Sequence, residues 1–255
     1  MHRNHPFAWT ALLLAVLLIV PACSDDDDPA APTNPGDPPT IDLGAVEDFE
    51  PPAAMLDSSD PMAQEIVGYL ARMDWVTSRL DRLVPPPAKT ATKAGPWVYT
   101  WTEGEPGYNE LTYTLTIREL ADRRTWELRS SGTWYEVVLT NYLNLAAQVA
   151  KDNSWAWLEE YDAFGAGELQ NRWSWALAGS AVTFTVDVHD MFAPYRIVVV
   201  LNLDHSGTMN YEKGTPGAGW LWMESSWSAD GAGTWTEFAA EGGVVDSGSW
   251  GGPTQ

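Results

Sequence analysis

The chain has 255 residues and a formal net charge of −21, with 35 acidic against 14 basic side chains. A polyanion of this kind is repelled by nucleic-acid phosphates and anionic lipid headgroups, which argues against a nucleic-acid partner. The single cysteine excludes a disulfide framework within one chain, and 15 tryptophans imply a substantial aromatic core, aromatic surface plates, or both.

Residues 1–22 fall into three zones. Met1–His5 carry one base, Arg3, and no acid; an apolar run extends from Ala11 to Val20; and a small residue, Ala22, precedes Cys23. This is the layout of a secretory signal whose apolar core is short for a membrane span. With Val20 at −3, Ala22 at −1 and cysteine next, the stretch resembles the lipobox of bacterial lipoproteins. The resemblance implies cleavage before Cys23, a thioether lipid on its sulfur, acylation of the new amino group, and a membrane anchor in the cell envelope. Ser24 stands where Asp would favour retention in an inner membrane, so the resemblance points to the outer membrane, on its periplasmic or cell-surface side. A lone thiol in an oxidising compartment is a liability unless it is used, which agrees with Cys23 as the attachment point.

Residues 23–60 form the second zone. Between residues 24 and 60 there are eleven acids and no Lys or Arg, beginning with Asp25–Asp28. Pro29, Pro32, Pro35, Pro38 and Pro39 stiffen a stretch with little periodic hydrophobicity, which reads as a disordered or polyproline-like tether. Ile41, Leu43, Val46 and Phe49 are candidates for docking on the folded body. The aspartate run lacks the spaced ligands and glycine of a calcium loop and reads as a solvated spacer.

One helix is expected over 61–84. Asp60 can cap it, Pro61 suits its first position, and Met62, Ile66, Tyr69, Leu70, Met73, Val76, Leu80 and Leu83 recur at steps of three and four. Pro85-Pro-Pro87 ends it. From residue 96 to 250 the period changes to two. Strands are expected near 96–103, 111–117, 124–130, 133–140, 154–161, 168–177, 181–189, 195–203, 207–213, 219–229, 233–239 and 243–250, with a Ser131-Gly132 turn between the third and fourth. Asn141–Lys151 fits either a strand or a short helix. Short turns leave no room for crossover helices, so the expected fold is mainly β: an antiparallel up-and-down meander of about 11–13 strands, a barrel or half-barrel, with one N-terminal amphipathic helix packed on it.

No nucleophile elbow, zincin motif, phosphate loop or dinucleotide fingerprint is present, and no cofactor or metal is expected. Beyond residue 22 the only histidines are His189 and His205. The topology sets them at opposite strand ends, so they read as turn-proximal polar residues. Trp-x-Glu recurs in five expected strands: Trp101/Glu103, Trp134/Glu136, Trp157/Glu159, Trp222/Glu224 and Trp235/Glu237. Positions two apart on a strand share a face, so each pair would set an aromatic plate beside a carboxylate, suited to a sugar ring or a cation. The alternative is a repeated hairpin unit in which Trp fills the core and Glu marks the strand's exit into water. Gly132-Thr-Trp-Tyr-Glu-Val137 and Gly233-Thr-Trp-Thr-Glu-Phe238 are similar to each other. The sequence therefore reads as a non-catalytic envelope lipoprotein with a binding or structural role, its ligand apolar or carbohydrate. A carboxylate-dependent hydrolase and an assembly subunit are the alternatives; Glu159 and Glu160, being adjacent, point to opposite faces and cannot be its acid pair.

Overall fold

The computed structural model describes residues 37–41, 50–71, 79–86, 96–162 and 167–251. The signal segment, Cys23 and Asp25–Asp28 lie outside the described residues, as do Leu43, Val46 and Phe49.

Among the described residues, the sheet is preceded by α1, Ala53–Leu56, and α2, Pro61–Leu70. The Asp60 side chain accepts from the backbone N–H groups of Met62 and Ala63 at 2.9 and 3.2 Å, the capping its position promised. Residues 72–78 lie outside the described set; the chain is helical again at Arg79 and Leu80 and tightens into a 3₁₀ turn at Asp81–Leu83. The expected helix over 61–84 is thus observed at its two ends. Residues 53–60, expected to belong to the tether, are folded instead, and Met55 is fully buried. The Pro- and Asp-rich composition concealed this because one turn of helix needs only one well-packed anchor.

Twelve strands follow: β1 Trp97–Glu103, β2 Leu111–Glu119, β3 Arg123–Trp134, β4 Val137–Ala150, β5 Trp155–Tyr161, β6 Leu169–Ala178, β7 Ala181–Val188, β8 Tyr195–Asn202, β9 Gly207–Lys213, β10 Trp220–Trp227, β11 Gly233–Phe238 and β12 Val244–Trp250. They form one sheet in strict sequence order, each antiparallel to its neighbours. Among the described residues β1 pairs only with β2 and β12 only with β11, so the sheet is open, a half-barrel type of meander rather than a closed barrel.

Alternation sorts the side chains onto two faces. The inner face carries Leu115, Ile117, Trp126, Leu128, Leu145, Leu158, Val199 and Met223, all at or near zero exposure, and Met55, Ile66, Leu70 and Leu83 from the helical segments join the same core. Ile41 packs against it from the Asp37–Ile41 segment. Tyr69 of α2 meets Tyr211 edge-on at 5.0 Å, which seats the helix over β9. Near the other end of the helical region, Arg79 pairs with Glu160 of β5 at 3.3 Å, and Asn171 of β6 donates to the same carboxylate at 3.0 Å.

One expected turn falls elsewhere. Ser131 and Gly132 lie inside β3, at a bulge, and the reversal comes at Tyr135–Glu136, with Tyr135 in the left-handed region. Gly132 is required for a different reason: a Cβ there would run into the backbone carbonyl of Glu110. Asn141–Lys151 resolves as a strand, the continuation of the 14-residue β4.

A hairpin motif does repeat, though not at Gly132. Trp227 closes β10 opposite Gly207, its ring filling the space a Cβ would take, and its Nε1 donates to the carbonyl of His205 at 3.0 Å. Trp250 closes β12 opposite Gly233 in the same way and donates to Gly231 at 2.7 Å.

Candidate functional site

The five Trp/Glu pairs do not share one surface. Trp101 and Glu103 are on the inner side of β1, where the Trp101 Nε1 donates to the Glu103 carboxylate at 2.9 Å and its ring stacks on Tyr113 at 5.6 Å. Trp134 ends β3 and Glu136 lies in the following turn, so the expected face-sharing fails there. It fails again for Trp222 and Glu224. A bulge between Leu221 and Met223 rotates Trp222 inward, where it meets Tyr211 at 5.1 Å and carries the Lys213 ammonium 3.5 Å above its ring, while Glu224 points outward and is exposed. Trp235 packs against the core opposite Ser225 and Gly248, and Glu237, two residues on, lies opposite Met223, so this pair is also on the inner side, ten strands from Trp101.

Trp157 and Glu159 are different. Ala156 and Leu158 take the buried positions of β5, which leaves Trp157, Glu159 and Tyr161 together on the outer face. The Tyr161 hydroxyl donates to Glu159 at 2.7 Å. Arg172 of β6 stands over the Trp157 ring at 5.7 Å and approaches Glu159 at 3.7 Å. Burial first, then the hydrogen bond to Glu159, pushes the Tyr161 phenol up to about 12.

Register explains the hollow beside this group. On the outer face one cross-strand row runs Arg118, Thr125, Gln148, Trp157 and Ser174, and the next runs Thr116, Glu127, Ala146, Glu159 and Arg172. Ala146 is the one small side chain in the centre of these two rows. A cavity of about 230 Å³ opens over it, walled by Trp157 and Gln148 on one side and by Arg118, Thr125 and Glu127 on the other. Glu127 is held between Arg118 at 3.5 Å and Arg129 at 3.4 Å. Glu127 and Glu159 flank Ala146 on the adjacent strands, two strand spacings or about 9–10 Å apart by backbone. Both carboxylates are paired with guanidinium groups, Glu127 with Arg118 and Arg129 and Glu159 with Arg172, which fixes their acceptor oxygens at the edge of the hollow.

The second of these rows continues past the hollow as a ladder of alternating charge: Glu159, Arg172, Asp187, Arg196 and Glu212 on five consecutive strands. Its centre is the Asp187–Arg196 pair, bidentate at 2.6 and 3.0 Å. The Asp187 hydrogen bond raises the Arg196 guanidinium still further, against the opposing effect of burial.

A second cavity of about 230 Å³ is apolar and lies between the Pro38–Ile41 segment, Leu80, Leu83, Val84 and Trp126. His189 and His205 sit at opposite ends of the sheet. His205, in the left-handed region within the β8–β9 turn, places Nδ1 3.1 Å from the Glu50 carbonyl and so fastens the chain before α1.

Trp157 and Glu159 were legible in the sequence as a candidate. Their partners Arg118, Glu127, Gln148 and Arg172 were not, because cross-strand register had to be known first. The alternation Thr125, Glu127, Arg129 around buried Trp126 and Leu128 marks the outer positions of β3, but not what they face. No protein-family model matches the chain, and no curated protein matches it.

Proposed function

We propose that the chain is a lipid-anchored envelope protein that binds a carbohydrate on the outer face of its sheet, with no catalytic step of its own. The observation that carries the binding site is the hollow over Ala146, with Trp157 as one wall and Glu127, Gln148 and Arg118 within the same recess. A Trp face suits the apolar side of a sugar ring, and fixed carboxylates and an amide suit its hydroxyls. An apolar cargo is the second reading: it has the apolar cavity of about 230 Å³ between Pro38–Ile41, the 3₁₀ turn and Trp126, while elsewhere the inner face packs against α1 and α2 among the described residues. The anchor rests on the resemblance around Cys23, and it sets the protein in the outer membrane as a tethered body.

A glycan panel, including cell-envelope polysaccharides, would be titrated against the full chain and read by calorimetry. Trp157→Ala and Glu127→Gln should each weaken binding of any ligand found by about tenfold or more, as loss of a stacking or charge-assisted contact does. Trp235→Ala, on the other face, should leave it unchanged. A ligand whose affinity ignores both groove substitutions would show that the hollow is not its site.

A further inference from the structure

We infer that one end of the sheet is a bilayer-contacting rim, its apolar loop tips resting in the interface of the membrane to which Cys23 holds the chain; this rests on the lipid-anchor reading above. The two ends of the sheet differ in chemistry. The connections β1–β2, β3–β4, β5–β6, β7–β8, β9–β10 and β11–β12 all fall at one end, and the remaining five at the other. Among the described strands and connections, ten large apolar side chains are exposed; only Leu120 and Leu203 lie at the second end, and eight lie at the first. The most prominent are Met191 and Phe192, 84% and 88% exposed at the tip of the β7–β8 connection, with Val244 and Val245 at 64% and 66% beside the β11–β12 turn. Trp220 adds an indole at the start of β10.

These tips are built to leave water. The Asp190 carboxylate accepts from the backbone N–H groups of Phe192 and Ala193 at 2.7 and 3.1 Å, so the loop is preformed with both side chains projecting. The Gly214 N–H donates to Pro194 at 2.9 Å and joins the β7–β8 and β9–β10 connections into one unit. The β11–β12 turn closes on itself through Ala239 to Gly243 and Gly242 to Ala239 at 2.7 and 2.9 Å. Internal satisfaction of backbone groups is what a weakly hydrated environment demands. The turns of the opposite end are closed by hydrogen bonds of the same kind, Asp152 with Ser154, Asp204 with Ser206 and Ser228 with Asp230, so what separates the two ends is the apolar side chains the first end exposes.

The tether puts a membrane within reach of the rim. Fourteen peptide steps from Cys23 to Asp37 reach at most about 50 Å, while a seven-residue strand spans about 23 Å, so the anchor can bring either end to the membrane. Burying the apolar tips then stabilises one orientation. The described residues of the first-end connections contain no Lys or Arg and several acids, Glu105, Glu110, Asp190 and Glu241 among them, so the fitting surface is neutral zwitterionic lipid rather than anionic lipid.

The test places one new cysteine in the full, host-processed chain, at Phe192→Cys, Val245→Cys or Leu203→Cys, labels it with an environment-sensitive dye, and reconstitutes the chain in phosphatidylcholine vesicles carrying a lipid-borne quencher. Mass spectrometry of Cys23 reads the anchor separately, and the same labels on a Cys23→Ala chain with added vesicles read the rim without it. Quenching and a blue shift at 192 and 245, with neither at 203, are expected. A lipidated chain whose label at 192 is quenched no more than that at 203 would overturn the rim and leave the anchor standing. Quenching at 192 in the Cys23→Ala chain beside an unmodified wild-type Cys23 would keep the rim and sink the anchor. A label at 192 that is shielded in intact cells yet untouched by the lipid quencher would mean a protein occupant, and would also overturn the proposal.

Discussion

On β5, Trp157 and Leu158 are neighbours in the chain with opposite surroundings. Leu158 is 1% exposed beneath the helical cover, within a core of Leu, Val, Met and Trp side chains; Trp157 stands on the uncovered face beside Arg172, Glu159 and a polar hollow. The same holds sheet-wide: Val182 and Val186 of β7 are buried where Thr183, Thr185 and Asp187 face outward. The inner face depends on volume and exclusion of water, the outer face on register and charge. Changes on the two faces should therefore fail differently.

The largest expected effect is on the inner face. Leu158→Ala should cost about 2–5 kcal/mol in urea unfolding, because its neighbours cannot close the space left. A loss under about 1 kcal/mol would mean that the helical cover is loose in solution. On the outer face the strongest response should come from the charge ladder. Asp187→Asn keeps the shape but removes the bidentate pair with Arg196, and should cost about 1.5–3 kcal/mol, with the wild-type advantage shrinking in high salt only slightly because Asp187 is largely buried. Gly207→Ala tests the repeated Trp-over-Gly contact; its Cβ would overlap the Trp227 ring, for an expected cost of about 1–3 kcal/mol.

The pH response of Tyr161 is smaller and its sign is fixed. With a native value near 12 against an ordinary 10, the phenol's contribution is complete below pH 10 and is lost as pH rises toward 12, since the unfolded chain ionises first. Wild type should therefore destabilise more steeply than Tyr161→Phe across that window, as followed by chemical denaturation at fixed pH; parallel curves would contradict the burial of the phenol together with its hydrogen bond to Glu159. Least of all should be Thr185→Ala, half-buried on the outer face outside the charge ladder and expected within about 0.5 kcal/mol of wild type.

Much of this contrast was written in the alternation. Leu111, Leu115 and Ile117, alternating with threonines, announced buried positions because strict period two has few other uses, and Asp60-Pro61 announced the start of α2. What alternation cannot carry is a change of phase. The bulge at Leu221/Met223 turned Trp222 inward, and the shift of the β3–β4 reversal from Gly132 to Tyr135 split Trp134 from Glu136. The first inserts one residue, which is enough to exchange faces, and the second carries β3 three residues past the expected turn, so that Trp134 ends the strand and Glu136 falls in the reversal. The hollow over Ala146 lay further out of reach, since it depends on which residues of β3, β4 and β5 stand side by side. The Trp-over-Gly repeat left a fainter signal, Gly-Thr at the opening of β9 and β11 and Ser-Trp at the close of β10 and β12.

The strict sequence order of the strands has a kinetic consequence. Every strand finds its partners within one or two connections, so the sheet's backbone pairing involves short loops and small closure entropies. A sheet wired in this way grows by accretion: each new hairpin adds to an edge that already exists. Trp227 over Gly207 and Trp250 over Gly233 close the open ends of the β9–β10 and β11–β12 hairpins with the same contact. The helical segments precede the sheet in the chain, yet their partners are spread across it: Tyr69 meets Tyr211 of β9 and Trp222 of β10, and Arg79 meets Glu160 of β5. Their docking is therefore the late step, and substitutions in α2 should speed unfolding far more than they slow folding.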